Sequence, residues 1–306
     1  MVADDNYMQF VTFRYQPSKA AAIASCAIFS VLFLGLLMMI IGSTKRFEEV
    51  SAGEIHNVKR KTVLKYFPFL MGIVMEVVGY GMRYDSSLDI EKITPFVIQS
   101  VFLLVAPSLY ASTIYTVFGQ LTRTLKCTRL SIVPAHRITA IFILGNLAGA
   151  AMQGAGVGVM SSAETHSGVN TGSHVIIAGL FIQIAVFGLF MITELRLLLQ
   201  AKHTNNIVSQ LSSQWYVLSF TLLGMSVFIM IRFIVRAVEF IEGGGGYIMG
   251  HECFLYVFDT MLMMLATLLW IITFRIGDLL IIICEVVAVA ANIDIGVEDV
   301  VDNKPK

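Results

Sequence analysis

Apolar runs of about 20 residues recur along the chain, separated by short polar connectors. A helix rising ~1.5 Å per residue needs about 20 such residues to cross ~30 Å of hydrocarbon. Seven runs have that length: Ala20–Ile41, Leu64–Arg83, Pro95–Leu121, His136–Met160, His174–Leu199, Trp215–Phe240 and Cys253–Arg275. The expected fold is all-α, a polytopic membrane protein with seven transmembrane helices in one bundle over residues 20–275. A polar tail (1–19) precedes it. Beyond residue 276, IGDLLIIICEVVAVAAN is apolar but has only 17 residues and carries Asp278 and Glu285. It is expected at the interface or as an extension of the seventh helix, with an eighth span as the lesser alternative, before a solvated tail.

Composition sharpens this picture. Hydrophobic residues make up 57% of the 306 and charged residues 14%, against ~45–50% and ~25% in an average soluble domain. Lipid has to hide that surplus. The net charge is zero, so nothing draws the chain to nucleic acid. Cys26, Cys127, Cys253 and Cys284 are scattered and form no C-x-x-C pair. They read as small apolar residues, not as a disulfide framework or zinc ribbon. The stretch before the first run shows no cleavage site for a signal peptide.

Basic residues set the expected orientation, because flanking Lys and Arg resist translocation. Fifteen of the 21 fall on one side, among them Lys45, Arg46, Lys59, Arg60 and Lys61 in the first connector and Arg123, Lys126, Arg129 and Arg137 around the third. The other side has six, and its sixth connector is acidic (Glu239, Glu242, Glu252). The N-terminus is expected outside and the C-terminus in the cytosol.

Ionisable and amide side chains inside the runs are costly in lipid and turn toward the bundle interior. Counted from the outer end of each run, Glu76, Gln153, Gln183, Arg232 and Asp259 all fall ~9–14 Å below the outer boundary. Five helices thus place their strongest mid-span polar group in one layer. Glu76, Tyr80 and Arg83 share a helix face by i, i+4, i+7 spacing, as do Arg232, Arg236 and Glu239. Arg232 is expected to pair with Asp259, Glu76 or both. Arg236 and Arg83 would meet Glu239, Glu252 or lipid phosphate nearer the surface. Two readings stay open here: a ligand cavity opening to the outer leaflet, or ion pairs that only pin the packing.

Small residues add a second signal. Gly145 and Gly149, then Gly154 and Gly158, have the G-x-x-x-G spacing that lets a second helix approach closely. Gly243–Gly246 with Gly250 make the sixth connector a hinge or an open loop. Pro107 is expected to kink the third helix.

Several chemistries lack their residues. No lysine lies between Lys202 and Lys304 to carry a Schiff base, and all six histidines sit in connectors or at span ends. No metal or cofactor site is expected. Neither a G-x-S-x-G elbow nor a Walker loop occurs, so no enzyme or ATP-driven pump is indicated. No D-R-Y closes the third run and no N-P-x-x-Y ends the seventh.

Motifs in order along the chain carry a resemblance. RYQPS precedes the first run, EVVGYGMR ends the second and APSLYASTIYTVFG lies in the third. MQGAGVG, GLFIQIAVFGLF, RFIVRAVEF and HECFLYVFD continue the order to the seventh. From Tyr15 to Trp270 the chain resembles the fungal RTA-like family of lipid-translocating exporters. Two departures are Asn146, where members often carry an acid, and the segment after Arg275.

The resemblance implies plasma-membrane proteins with an outside N-terminus that export or flip sphingoid long-chain bases. It also implies links to porphyrin handling and to resistance against toxic amphiphiles such as aminosterols. On that reading the partners are membrane lipids and an amphiphilic substrate. Glu76, Glu239, Glu252 and Asp259 would hold its amine, Gln153, Gln183 and Tyr80 its hydroxyls, and Arg83, Arg232 and Arg236 would complete the site. The competing classes are a seven-helix lipid sensor and an indirect regulator of lipid asymmetry.

Overall fold

The computed structural model describes residues 17–50, 65–89, 92–125, 138–163, 165–204, 214–243, 246–248, 250–276 and 282. Every regular element among them is helical. The helices are α1 (Lys19–Val50), α2 (Phe67–Leu88), α3 (Ile93–Thr124), α4 (Ile138–Ser161), α5 (His166–Thr204) and α6 (Gln214–Glu242). The last, α7 (residues 252–276), joins an α-turn at Glu252–Leu255, a π-helical stretch at Tyr256–Met261 and an α-helix at Leu262–Ile276. The tail 1–16, Lys59, Arg60 and Lys61 of the first connector, Lys126, Arg129 and Arg137 of the third, Gly244, Gly245 and, apart from Ile282, the segment beyond 276 lie outside the described residues.

Six of these helices are long and apolar enough to cross a membrane. The other, α2, has 22 residues, but Glu76, Arg83 and Asp85 lower its hydropathy. Large apolar side chains cover the outside of the bundle, Val31 being 68% exposed and Phe220 61%. In water such a surface would drive aggregation; against acyl chains it is the expected exterior. The chain is an integral membrane protein.

Local sequence explains the helix ends. Pro68 sits in the first turn of α2, where its missing N–H costs nothing. Gly243 closes α6 with φ of +68°, the left-handed conformation that glycine adopts without strain, and its carbonyl accepts from the Gly246 N–H at 2.9 Å. Several helices overrun the apolar runs: α2 continues to Leu88 and α5 starts at His166.

Helices adjacent in sequence pack side by side, and α7 closes the ring against α1. Between α4 and α5 the backbones nearly touch. A Cβ at Gly149 would meet the Gly179 carbonyl at 2.8 Å, and one at Gly156 the Gly172 carbonyl at 2.7 Å. These paired positions run antiparallel, two turns apart. Gly145 also faces α5, at Val186, whereas Gly154 and Gly158 have no neighbour within 4 Å. The close face is therefore built on seven-residue spacing and not on the second G-x-x-x-G pair. Helix α3 is innermost: 67% of its apolar window is buried, against 28% for α1.

The bundle has two unlike halves. Toward the face where α1 and α7 begin, called here the N-terminal face, the interior is polar. Toward the opposite face it is aromatic, with Tyr115, Phe118, Phe142, Phe187 and Phe190 in ring contact.

Candidate functional site

The polar half is organised by α3. Pro107 lies inside this helix and has no N–H to give the carbonyl of Leu103, four residues earlier. The Arg232 guanidinium donates to that carbonyl from α6, and its Nε donates to Asp259 Oδ1 on α7. One buried arginine thus ties together three helices, and a main-chain acceptor freed by proline satisfies part of it. Arg232 is 1% exposed and Asp259 2%. Such a pair is tolerated in lipid surroundings only because each charge is met by its partner and by further hydrogen bonds.

Asp259 has a second cation. Arg236 Nη2 donates to its Oδ2 at 2.7 Å, and Arg236 Nη1 to Glu239 Oε2 at 2.9 Å. Arg236 therefore reaches inward to Asp259 as well as outward to Glu239. The π-helical turn of α7 presents Tyr256, Asp259 and Thr260 at i, i+3 and i+4. Extra turns of this kind cluster at functional sites. Thr260 Oγ1 lies 2.5 Å from Tyr80 Oη, and the Tyr80 ring stacks on Phe29 at 5.7 Å.

Closer to the N-terminal face, Arg83 Nη2 donates to Glu252 Oε1 at 2.7 Å, and Arg83 Nε to Tyr256 Oη at 3.1 Å. The Glu252 carboxylate also accepts the Ser18 backbone N–H at 3.0 and 3.1 Å. The starts of α1 and α7 and the last turns of α2 are thereby fastened at one point.

The amides form a separate network. Gln153 Nε2 donates to Gln183 Oε1 at 2.6 Å, and Gln183 Nε2 donates to Ser108 Oγ at 2.7 Å. Asn146 Nδ2 donates to the Ser108 carbonyl at 2.7 Å. Both networks are anchored on α3, on either side of Pro107.

All five mid-span residues of the expected layer are buried, none more than 2% exposed. They turn inward and not into lipid. They do not form one chain of bonds: Arg232 and Asp259 pair, Gln153 and Gln183 pair, and Glu76 makes no hydrogen bond. Its Oε1 and Oε2 are both buried without a partner, as are Gln153 Oε1, Asn146 Oδ1 and Gln99 Oε1. Glu76 is held within the electrostatic reach of Asp259, Arg232 and Arg236. Flanking glycines pack α2 tightly on α3, Gly72 against Tyr110 and Gly79 against Leu103.

Four participants escape a reading based on charge alone: the Leu103 carbonyl, Ser108, Tyr256 and Thr260. Pro107 signals the first, because a proline always frees the carbonyl four residues before it. The last two share a face with Asp259. Among the described residues no three His, Cys, Asp or Glu side chains come together as a metal would require.

This geometry defines a lipid-embedded helical bundle with buried polar networks in one half. The chain belongs to the family described as RTA1 like protein, which matches residues 69–280. It is 37% identical to Protein RTM1 of Saccharomyces cerevisiae over 93% of this chain and 98% of that protein. It is 38% identical to Protoporphyrin uptake protein 1 of the same yeast, over 88% of this chain and 92% of that one. The yeast Sphingoid long-chain base transporter RSB1 is 25% identical over 65% of this chain and 61% of its own length. No solved structure matches the chain.

Proposed function

We propose that the protein moves amphiphiles bearing a cationic amine across the plasma membrane, sphingoid long-chain bases above all, and so confers resistance to toxic amphiphiles. In this reading all seven helices span the bilayer, with the N-terminal face outside, and α2 is tolerated in lipid because its charged face is turned inward. The observation that carries the reading is Glu76, a carboxylate buried at mid-bundle with both oxygens unmatched.

Unmatched buried acceptors cost about 1–3 kcal/mol each, and more when charged. Most of those in this half, on Glu76, Asn146, Gln99 and Gln153, are acceptors. They suit a ligand made of donors: an ammonium for Glu76 and hydroxyls for the amides. Arg83, Arg232 and Arg236 each already bond to an acid. The carboxylates of a porphyrin would compete for those arginines, whereas an amine meets a vacant acceptor. The hydrocarbon tail can stay among the acyl chains between helices, so only the headgroup needs the polar interior. The RSB1 relative, named as a long-chain base transporter, agrees with this cargo class.

Purified protein in liposomes carrying a fluorescent long-chain base in one leaflet tests the proposal. Transfer of the base to the other leaflet, absent from protein-free vesicles, is the expected result. Binding without transfer would turn the reading toward a lipid sensor.

A further inference from the structure

A second buried acid without a hydrogen-bond partner, after Glu76, lies in the other half of the bundle and plays no part in the site above. Glu194 on α5 is 1% exposed, and neither of its oxygens has a hydrogen-bond partner. It is eleven residues beyond Gln183, about 16 Å further along the helix. Ser226 on α6 faces it, outside normal hydrogen-bond limits, and Tyr115 on α3 lies near enough to sense its charge. Ser226 Oγ and Tyr115 Oη are themselves buried with no partner. Three helices therefore bring unmatched oxygens to one place, and the two neighbours of the acid are hydroxyls able to turn and donate.

Among the described residues no cation balances this acid. Helix α4, packed against α5, has no ionisable side chain at all. On the other elements packed against α5, Tyr115 and Ser226 are the groups that face Glu194 among the described residues. Arg123 and Arg196 nearby are exposed. A carboxylate so placed in lipid surroundings has to be neutralised from solution.

The packing then selects the ion. Phe190, one turn before Glu194, meets Tyr115 edge-on at 4.6 Å and Phe118 at 5.1 Å, and Phe187 lies 5.8 Å from Tyr115. These buried rings lie between the levels of Gln183 and Glu194 on α5, where an ammonium headgroup or a hydrated metal ion would have to displace them. A proton needs no space.

We propose that Glu194, with Ser226 and Tyr115, is a proton-binding site in the aromatic half of the bundle. An aqueous proton adds to the Glu194 carboxylate to give the neutral carboxyl, and the hydroxyls of Ser226 and Tyr115 reorient to match it. Binding of the proton stands by itself. Its coupling to cargo rests on the transport reading given above.

Infrared difference titration of the full-length protein in lipid nanodiscs reads the site directly. Wild type is expected to show a carboxylic C=O band that titrates with pH, is indifferent to Na⁺ against K⁺, and vanishes in Glu194→Gln. In Ser226→Ala and Tyr115→Phe, which keep the acid, the band should move in frequency. A band unchanged in Glu194→Gln, or one governed by Na⁺, overturns the proposal. In vesicles, a gradient of one pH unit, about tenfold in proton activity, should change the initial wild-type rate of long-chain-base transfer by up to about that factor. Glu194→Gln should run at one rate with or without the gradient; a rate that still follows the gradient overturns the coupling. If wild type moves no base at all, the transport reading fails while the infrared result still decides the proton site.

Discussion

Arg232 on α6 donates to the main-chain carbonyl of Leu103 on α3, the carbonyl that Pro107 leaves without a helical partner. A break in one helix thus becomes the acceptor for a charge on another. The same arginine holds Asp259, so the position of the π-helical turn of α7 depends indirectly on a proline two helices away.

Substituting Pro107→Ala should separate stability from activity. Alanine restores an N–H that competes for the Leu103 carbonyl, and it removes an intrinsic helix penalty of roughly 3 kcal/mol. Thermal denaturation in detergent should show equal or greater stability, while transfer of long-chain base falls. Wild-type transfer in this variant would show that the freed carbonyl has no functional part.

Breaking the buried pair on one side should be severe. Asp259→Asn leaves Arg232 without a carboxylate, at about 3–5 kcal/mol, and yield of folded protein after gel filtration should drop accordingly, whereas Arg232→Gln, which leaves Asp259 paired with Arg236, should cost less. The exchange Arg232→Asp with Asp259→Arg should not restore it, because an arginine at 259 would face Arg236, now 2.7 Å from Asp259. Full recovery would mean that Arg232 and Asp259 form an isolated pair.

At the α4–α5 contact, Gly179→Val should destabilise by about 1–3 kcal/mol through overpacking, since even a Cβ there meets the Gly149 carbonyl at 2.7 Å. Gly158→Val, with nothing within 4 Å, should leave the melting temperature unchanged. Equal effects of the two would contradict the packing.

Much of this architecture could be read from residue order. The apolar runs and their lengths gave the helices, because lipid imposes one span length on every crossing. Counting residues from span ends brought Glu76, Gln153, Gln183, Arg232 and Asp259 to a common depth, and all five do face inward. Other features resisted. G-x-x-x-G spacing marks neighbours at i, i+4, but two long antiparallel helices touch again only after two turns, which selects Gly149 and Gly156. A carbonyl acceptor such as that of Leu103 has no residue type to mark it. Glu194 carries no clear signal in residue order, because Arg196 beside it resembles a basic flank, whereas the helix turns the acid inward and the arginine out.

Removing the Glu76 charge should favour the fold. Glu76→Gln abolishes a buried carboxylate without a hydrogen bond, and denaturation should occur at the same or a higher temperature, by an amount corresponding to about 1–3 kcal/mol. A marked loss of stability would mean that Glu76 is matched by a protein cation in the resting bundle.

That variant also provides the most direct measurement of cargo recognition. Wild type and Glu76→Gln, reconstituted at equal density, would be compared for transfer of a fluorescent long-chain base and of its N-acylated, uncharged analogue. Wild type should move the free base faster than the analogue, and Glu76→Gln should lose that preference. A preference for the cationic base that survives in Glu76→Gln would contradict the assignment of the amine to this carboxylate.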